Sequence, residues 1–260
     1  MITFLVSRKA LWEHRVFRRL RFAGRLLLCG LILNLGSLFP ASAQEPELIM
    51  QEITFTTKDN VTISGSWIVA DDPDAASAKS PAVILVHDYG LDRRDWGIFI
   101  PDLAAHGLRV LAIDLRGHGQ SIAAGTRQGG DYSFNTSSSF LSTGLLDVDG
   151  AVRWLKKRDD VNAKAVSLIG VGAGGDLAYI AARQLGRRQI KSAVVISPSL
   201  AALTDGDFIA DSPARAILFC VSSGDSNGSS MMAAESLSNF TDSPKKVLVY
   251  TSNAHGLSMF

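Results

Sequence analysis

Apolar residues recur along this chain in two rhythms. At 82–86, 109–113, 165–169, 193–197, 216–221 and 246–250 they form short, largely continuous runs, as expected of strands buried on both faces of a parallel sheet. Between the runs lie stretches with helical spacing: 95–106, closed by Gly107; 147–157, with Val148, Val152 and Leu155 on one side; 177–185; and 231–237. Ahead of them, 49–57 and 61–69 read as two strands around the turn Lys58-Asp59-Asn60. Strand, helix and strand then alternate, which predicts an α/β fold, a doubly wound, mostly parallel sheet flanked by helices. Residues 71–80 are a polar, alanine-rich connector. Residues 115–145 include a stretch rich in Gly, Ser and Thr, too long for a simple connection, as loops over a site often are.

The first 43 residues have a different character. Arg8, Lys9, Arg15, Arg18, Arg19, Arg21 and Arg25 face only one acid, Glu13; an apolar stretch at 26–39 follows, then Pro40-Ala41-Ser42-Ala43-Gln44. A basic start, a short apolar core and an A-x-A site predict a signal peptide at 1–43, cleaved after Ala43, with an uncleaved anchor as the alternative. Residues 44–260 are then a single domain, secreted or periplasmic, with no membrane span after cleavage. Without the leader, 19 basic residues meet 24 acidic ones, a charge of about −5 that argues against nucleic acid as a partner. Of the two cysteines, Cys29 lies in the leader, so Cys220 has no internal partner for a disulfide. No metal or cofactor is expected.

The chemistry-bearing stretch is 163–181, where a strand enters a turn with four glycines in six positions, Gly170-Val171-Gly172-Ala173-Gly174-Gly175, and leaves as a helix. A strand that reverses sharply into a helix needs positive φ at its tip and small residues on either side. Two patterns fit. Gly170, Gly172 and Gly175 spell the G-x-G-x-x-G of dinucleotide sites, but this turn follows the fifth strand and the next strand ends in Ser-Pro-Ser, with no carboxylate for a ribose. Gly170-Val171-Gly172-Ala173-Gly174 is the G-x-S-x-G nucleophile elbow with glycine where the serine should be.

Further landmarks favour the elbow. His87-Asp88-Tyr89-Gly90 follows the third strand, Asp114-Leu115-Arg116-Gly117-His118-Gly119-Gln120-Ser121 the fourth, Asp225 the seventh, and His255-Gly256 the last. Together these resemble the α/β-hydrolase family, most closely its bacterial esterase-like and serine-aminopeptidase-like members, over roughly residues 50–260. The resemblance implies a nucleophile, acid and histidine at Gly172, Asp225 and His255, and an oxyanion-hole region at His87, Asp88, Tyr89 and Ala173. His118 is expected to brace its turn, and His106 to be an ordinary residue in the last turn of a helix.

Three departures point away from family chemistry. Gly172 has no hydroxyl for His255 to deprotonate. Asp88 puts a carboxylate where one would repel a developing oxyanion. The helix that follows the histidine loop in the family is missing. The expected protein is therefore a pseudoenzyme of the hydrolase fold, inactive as a serine hydrolase, that binds a small apolar or ester-like ligand, or a protein partner at the C-terminal end near Leu257, Met259 and Phe260. The alternatives are an ester or peptide hydrolase with a non-standard nucleophile or a water activated by His255 and Asp225, and, more remotely, a dinucleotide-binding oxidoreductase.

Overall fold

The computed structural model describes residues 47–71, 79–122, 137–186, 188–201, 216–242 and 244–260. The leader with its A-x-A site, most of the connector, the Gly-rich part of the long loop and the Ala- and Asp-rich loop before the seventh strand lie outside them.

Strands β1 (Leu48–Thr56) and β2 (Thr62–Ala70) pair antiparallel around the predicted turn. There follow β3 (Ser80–Val86), β4 (Arg109–Ile113), β5 (Val161–Val171), β6 (Ser192–Ile196), β7 (Ile217–Ser222) and β8 (Lys245–Tyr250). They form one sheet in the order β1-β2-β4-β3-β5-β6-β7-β8. β2 runs antiparallel to β4, and every later pair is parallel. The doubly wound sheet expected from the sequence is thus present. Its apolar runs are continuous because alternate residues enter two cores. Ile84, Val86, Leu111, Ile113 and Leu168 face one cluster, and Val83, Leu85, Val110 and Ala112 face the other. The edges β1 and β8 are the partly exposed strands, and their polar and charged residues fit that position.

Helices α1 (Ile100–Ala105), α2 (Ser137–Lys156), α3 (Ala173–Gln184) and α4 (Ser229–Asn239) cover the faces. Val148, Val152 and Leu155 of α2, Leu177 of α3 and Leu237 of α4 all enter the first cluster; Ile100 and Leu103 of α1 enter the second with Trp96.

Two elements differ from the sequence reading. The helix expected over 95–106 is two pieces, a 3-10 turn at Arg93–Trp96 and the short α1. Asp92 and Asp95 cap the first piece with a capping box, and Pro101, which has no N–H to continue a ladder, sits in the first turn of the second. Helix α2 begins ten residues before the expected 147, inside the Ser- and Thr-rich stretch. There Leu141 and Leu145 extend the stripe of Val148, Val152 and Leu155, and packing outweighs the weak helix propensity of Ser and Thr. After β8 the chain ends in a 3-10 turn, Gly256–Met259. Leu257 and Met259 pack on the second cluster, and the Phe260 ring meets Phe99 and Tyr250 edge-on. Among the described residues no helix is long and apolar enough to cross a membrane.

Candidate active site

The turn between β5 and α3 is a sharp elbow. Gly172 sits at its tip with φ 55° and ψ −122°, a conformation that L side chains adopt only under strain. Its N–H donates to Ile196 and its carbonyl accepts from Asp176. The flanking glycines are required by space. A Cβ on Gly170 would lie 2.0 Å from the Gly174 carbonyl oxygen, and one on Gly174 would lie 2.3 Å from those of Val86 and His87. This is the strand-to-helix approach that the elbow pattern predicts.

The space in front of Gly172 is occupied. A Cβ built there would stand 2.0 to 2.3 Å from the carboxylate atoms of Asp88, so Asp88, reaching over from the loop after β3, fills the volume of the absent serine side chain. Its Oδ1 accepts from the N–H of Ala173 at 2.8 Å and of Tyr89 at 2.7 Å. Its Oδ2 lies 3.1 Å from Nε2 of His255. The other ring nitrogen, Nδ1, lies 2.8 and 3.0 Å from the carboxylate oxygens of Asp225. The structure therefore brings Asp88, Tyr89, Gly172, Ala173, Asp225 and His255 together, and the two N–H groups expected around an oxyanion both donate to the protein's own carboxylate. The Ala173 amide, which a pyrophosphate would need at this helix start, is bonded in the same way.

An imidazole whose two nitrogens both face carboxylates is held as the imidazolium, because an ionised carboxylate only accepts. The hydrogen bond with Asp88 is the main cause that raises the His255 pKa to about 9; burial opposes it, and Asp225 adds to it. Burial works to raise the Asp88 pKa, but the bonds from His255, Ala173 and Tyr89 outweigh it and the net shift is downward. Asp225 is 1 % exposed. Burial again pushes its pKa up, and hydroxyls of Ser197, Ser230 and Ser226, with His255, bring it below the usual range. At neutral pH the site is thus carboxylate, imidazolium, carboxylate. That state has no free base to deprotonate an alcohol.

Strain gathers around the acid. Ser197, Ser226 and Asn227 all have φ between 47° and 56°, and each costs on the order of 1–3 kcal/mol unless its surroundings hold it. Ser197 Oγ accepts from the N–H of Gly256 and donates to Asp225, tying the histidine loop to the acid loop. Sequence reasoning missed Ser197 and Ser230. The Ser-Pro-Ser after β6 was the available signal, read only as the absence of a carboxylate.

The remaining landmarks hold the loops. His87, next to Asp88, is buried, accepts from Leu115 N–H at Nε2 and donates from Nδ1 to the Asp88 carbonyl, so its ring braces the loop after β3. His118 accepts from Gly90 N–H and donates to the Arg116 carbonyl, the bracing role expected of it. His106 caps the end of α1 against the Asp102 carbonyl. Arg93 binds Asp114, Glu52, Ser66 and Gln120, and Arg116 binds Asp147 and Asp59. Cys220 is buried, and burial pushes its thiol up to about 12, so it offers no thiolate. Among the described residues no group of His, Cys, Asp and Glu is arranged to hold a metal ion.

Comparison with known proteins agrees with this fold. The model of the alpha/beta hydrolase family matches residues 83–251, well over half of the chain. A polyketide transferase of Penicillium sp, grgF, is 28% identical over 151 residues, 56% of this chain and 44% of that protein; the chain thus spans less than half of that relative's length. Among solved structures, the acetyl xylan esterase of Paenibacillus sp. R4 superposes with a TM-score of 0.64 at 20% identity, over 85% of this chain and 82% of that one. The Pyrococcus furiosus esterase Pf2001 superposes with a TM-score of 0.59 at 20% identity, over 80% and 85%. The chain belongs to the alpha/beta hydrolase family, and its structural neighbours include esterases.

Proposed function

We propose that this alpha/beta hydrolase has given up serine-hydrolase chemistry and takes a small apolar or ester-like ligand at the C-terminal ends of β3, β5 and β7, beside Asp88, Gly172 and His255. One observation carries the reading: the Asp88 carboxylate stands where a serine would, bonded to the two N–H groups that would hold an oxyanion. A substrate carbonyl therefore finds neither a hydroxyl to attack it nor a vacant hole to receive its oxygen. The esterase names of the structural neighbours support the ligand class.

Fluorophosphonate probes and nitrophenyl esters test this. No labelling and no burst are expected, whereas stoichiometric labelling that His255→Ala abolishes would overturn it. Ethyl butyrate should bind saturably in calorimetry, and more weakly to His255→Ala. We further propose that the protein is exported and cleaved after Ala43, on the strength of the basic start and Ala41-Ser42-Ala43. N-terminal sequencing of exported protein should begin at Gln44; a chain beginning at Met1 would refute it.

The second reading, a hydrolase with a non-standard nucleophile, is favoured by a different observation. His255 has a carboxylate on each side, and the one from Asp88 lies at the nucleophile's place.

A further inference from the structure

We infer that His87 and His118 form a reciprocal clasp between the loops after β3 and β4, which keeps Asp88 in the elbow while both rings are neutral and releases it in mild acid. The inference names a regulation of the same site and rests on the proposal that Asp88 closes it.

The two histidines cross. His87, on the loop after β3, takes at Nε2 the N–H of Leu115 from the other loop, at 3.0 Å. His118, on the loop after β4, takes at Nε2 the N–H of Gly90 from the first, at 3.1 Å. In each ring Nδ1 faces a backbone carbonyl, that of Asp88 at 2.7 Å for His87 and that of Arg116 at 3.0 Å for His118. A carbonyl only accepts and an N–H only donates, so each ring must be neutral with its proton on Nδ1. A second proton would sit on Nε2 and point at a backbone N–H. Both bonds across the gap would then be lost, and two imidazolium rings would stand with their centroids 5.1 Å apart. His87 and Leu115 are fully buried, so the Leu115 N–H, once without its acceptor, finds water only when the loops part.

Burial is the largest influence on His87 and drives its pKa below 6.5; His118 acts in the same direction, while the Asp88 carbonyl and the charges of Asp114 and Asp92 oppose it. Those two carboxylates are themselves paired with Arg93 and Arg94. Against His118 lie the rings of Tyr89 and of Phe140 from α2, uncharged in acid. Asp147, also of α2, reaches the same loop through Arg116. Burial raises the Asp88 pKa, but the bonds from His255, Ala173 and Tyr89 outweigh it and the net shift is downward, so its own protonation does not release it in mild acid. The neutral form of His87 is the one the closed clasp holds. Closure is therefore fully favoured above pH 6.5 and is lost as pH falls.

The loop after β4 is the fixed side. Asp114 accepts from the N–H groups of Arg93 and Gln120, Ser121 from that of Ser64, and Asp147 from that of Arg116. The side that can move is 87–91, between the end of β3 and the capped turn at Asp92. Gly90 turns this piece with φ 76°, where a Cβ would meet nothing within 4 Å. Asp88 lies in the same piece, so an open clasp draws its carboxylate away from the Ala173 N–H.

The test uses the full chain. Nitrogen-15 NMR of the imidazoles above pH 6.5 should show His87 and His118 neutral with the proton on Nδ1; a proton on Nε2 of either ring there would overturn the inference, and no variant is needed to see it. In hydrogen exchange, protection of the Leu115, Gly90 and Ala173 amides should be constant above pH 6.5 and fall by up to about tenfold per pH unit below it, while the amides of β5 keep theirs. His87→Gln combined with His118→Gln keeps an acceptor at each place and removes the titration, so the fall should vanish. Protection that holds into acid, that is lost only together with β5, or that falls as steeply in the double variant, which would make Asp147 the cause, overturns the inference. Ethyl butyrate is absent from these measurements, so its failure to bind overturns the ligand proposal alone.

Discussion

Two charged clusters stand side by side at the C-terminal ends of β3 and β4, and they differ in what their carboxylates face. In the first, Asp114 is buried and meets the guanidinium of Arg93, the N–H of Arg93 and that of Gln120. Arg93 spends its remaining donors on Glu52, Ser66 and Gln120. Asp114 there faces a guanidinium, whose charge is permanent, and two backbone N–H groups. In the second, Asp88 and Asp225 share an imidazole that titrates, half exposed to solvent. The run Asp114 to Ser121 supplies Asp114 and Gln120 to the first cluster. Gly172 and Asp88 belong to the second and meet each other.

The largest expected effect separates the clusters by stability. Arg93→Ala leaves Asp114 buried without its main counter-charge and should cost ~3–5 kcal/mol in denaturant unfolding. The NMR titration of His255 in the folded protein should stay where it is. A matching shift at His255 would show that the clusters act as one.

Next comes the elbow. Gly172→Ser returns the strained φ to a residue with a Cβ, about 1–3 kcal/mol, and drives that Cβ into the Asp88 carboxylate. Adding Asp88→Gly should recover part of the loss, and only the double variant should hydrolyse nitrophenyl esters, its new hydroxyl being free to bond His255. If Gly172→Ser destabilises the parent and the Asp88→Gly variant equally, the two residues do not compete for one space.

A smaller effect lies in pH. The pKa of His255 is raised from 6.5 to about 9, so the folded state binds its proton more tightly than the unfolded chain. The stability this supplies is fully present below pH 6.5 and is lost as pH rises through about 9. The ring is exposed enough for solvent to screen much of it. Melting temperature should fall across that window, and Asp88→Asn should flatten the fall and move the NMR midpoint of His255 down. A midpoint that stays near 9 in Asp88→Asn would leave Asp225 as the sole cause.

The smallest effect comes from behind the elbow. Asp176 of α3 is 1 % exposed and binds Ser199 N–H and Oγ; burial raises its pKa to about 7 against those bonds. Its neutral form is the one the fold prefers, so the stabilisation is complete below about 3.8 and is lost as pH rises through 7. Asn keeps both hydrogen bonds without a charge to bury. Asp176→Asn should therefore match the parent in acid and slightly exceed its melting temperature above pH 7. A variant less stable at every pH would show that the charge itself is needed.

The sequence alone determined the architecture. Buried parallel strands must be apolar on both faces, so the runs at 82–86 and 109–113 show in the residues themselves, and a strand that turns at once into a helix must spend glycines, so the elbow shows too. It also named Gly172, Asp225, His255 and Asp88, through the resemblance of the segments at its strand ends to the α/β-hydrolase family. It misjudged 137–146, whose Ser and Thr read as loop because propensity is local while the packing of Leu141 and Leu145 on the sheet is not. Only the tertiary structure decided what Asp88 does. Near a hole, a carboxylate repels an oxyanion; inside the hole, it takes the oxyanion's place. Which of the two holds depends on the distance between two residues far apart in the chain, Asp88 and Gly172, set by the register of β3 against β5, and no spacing in the sequence carries that distance.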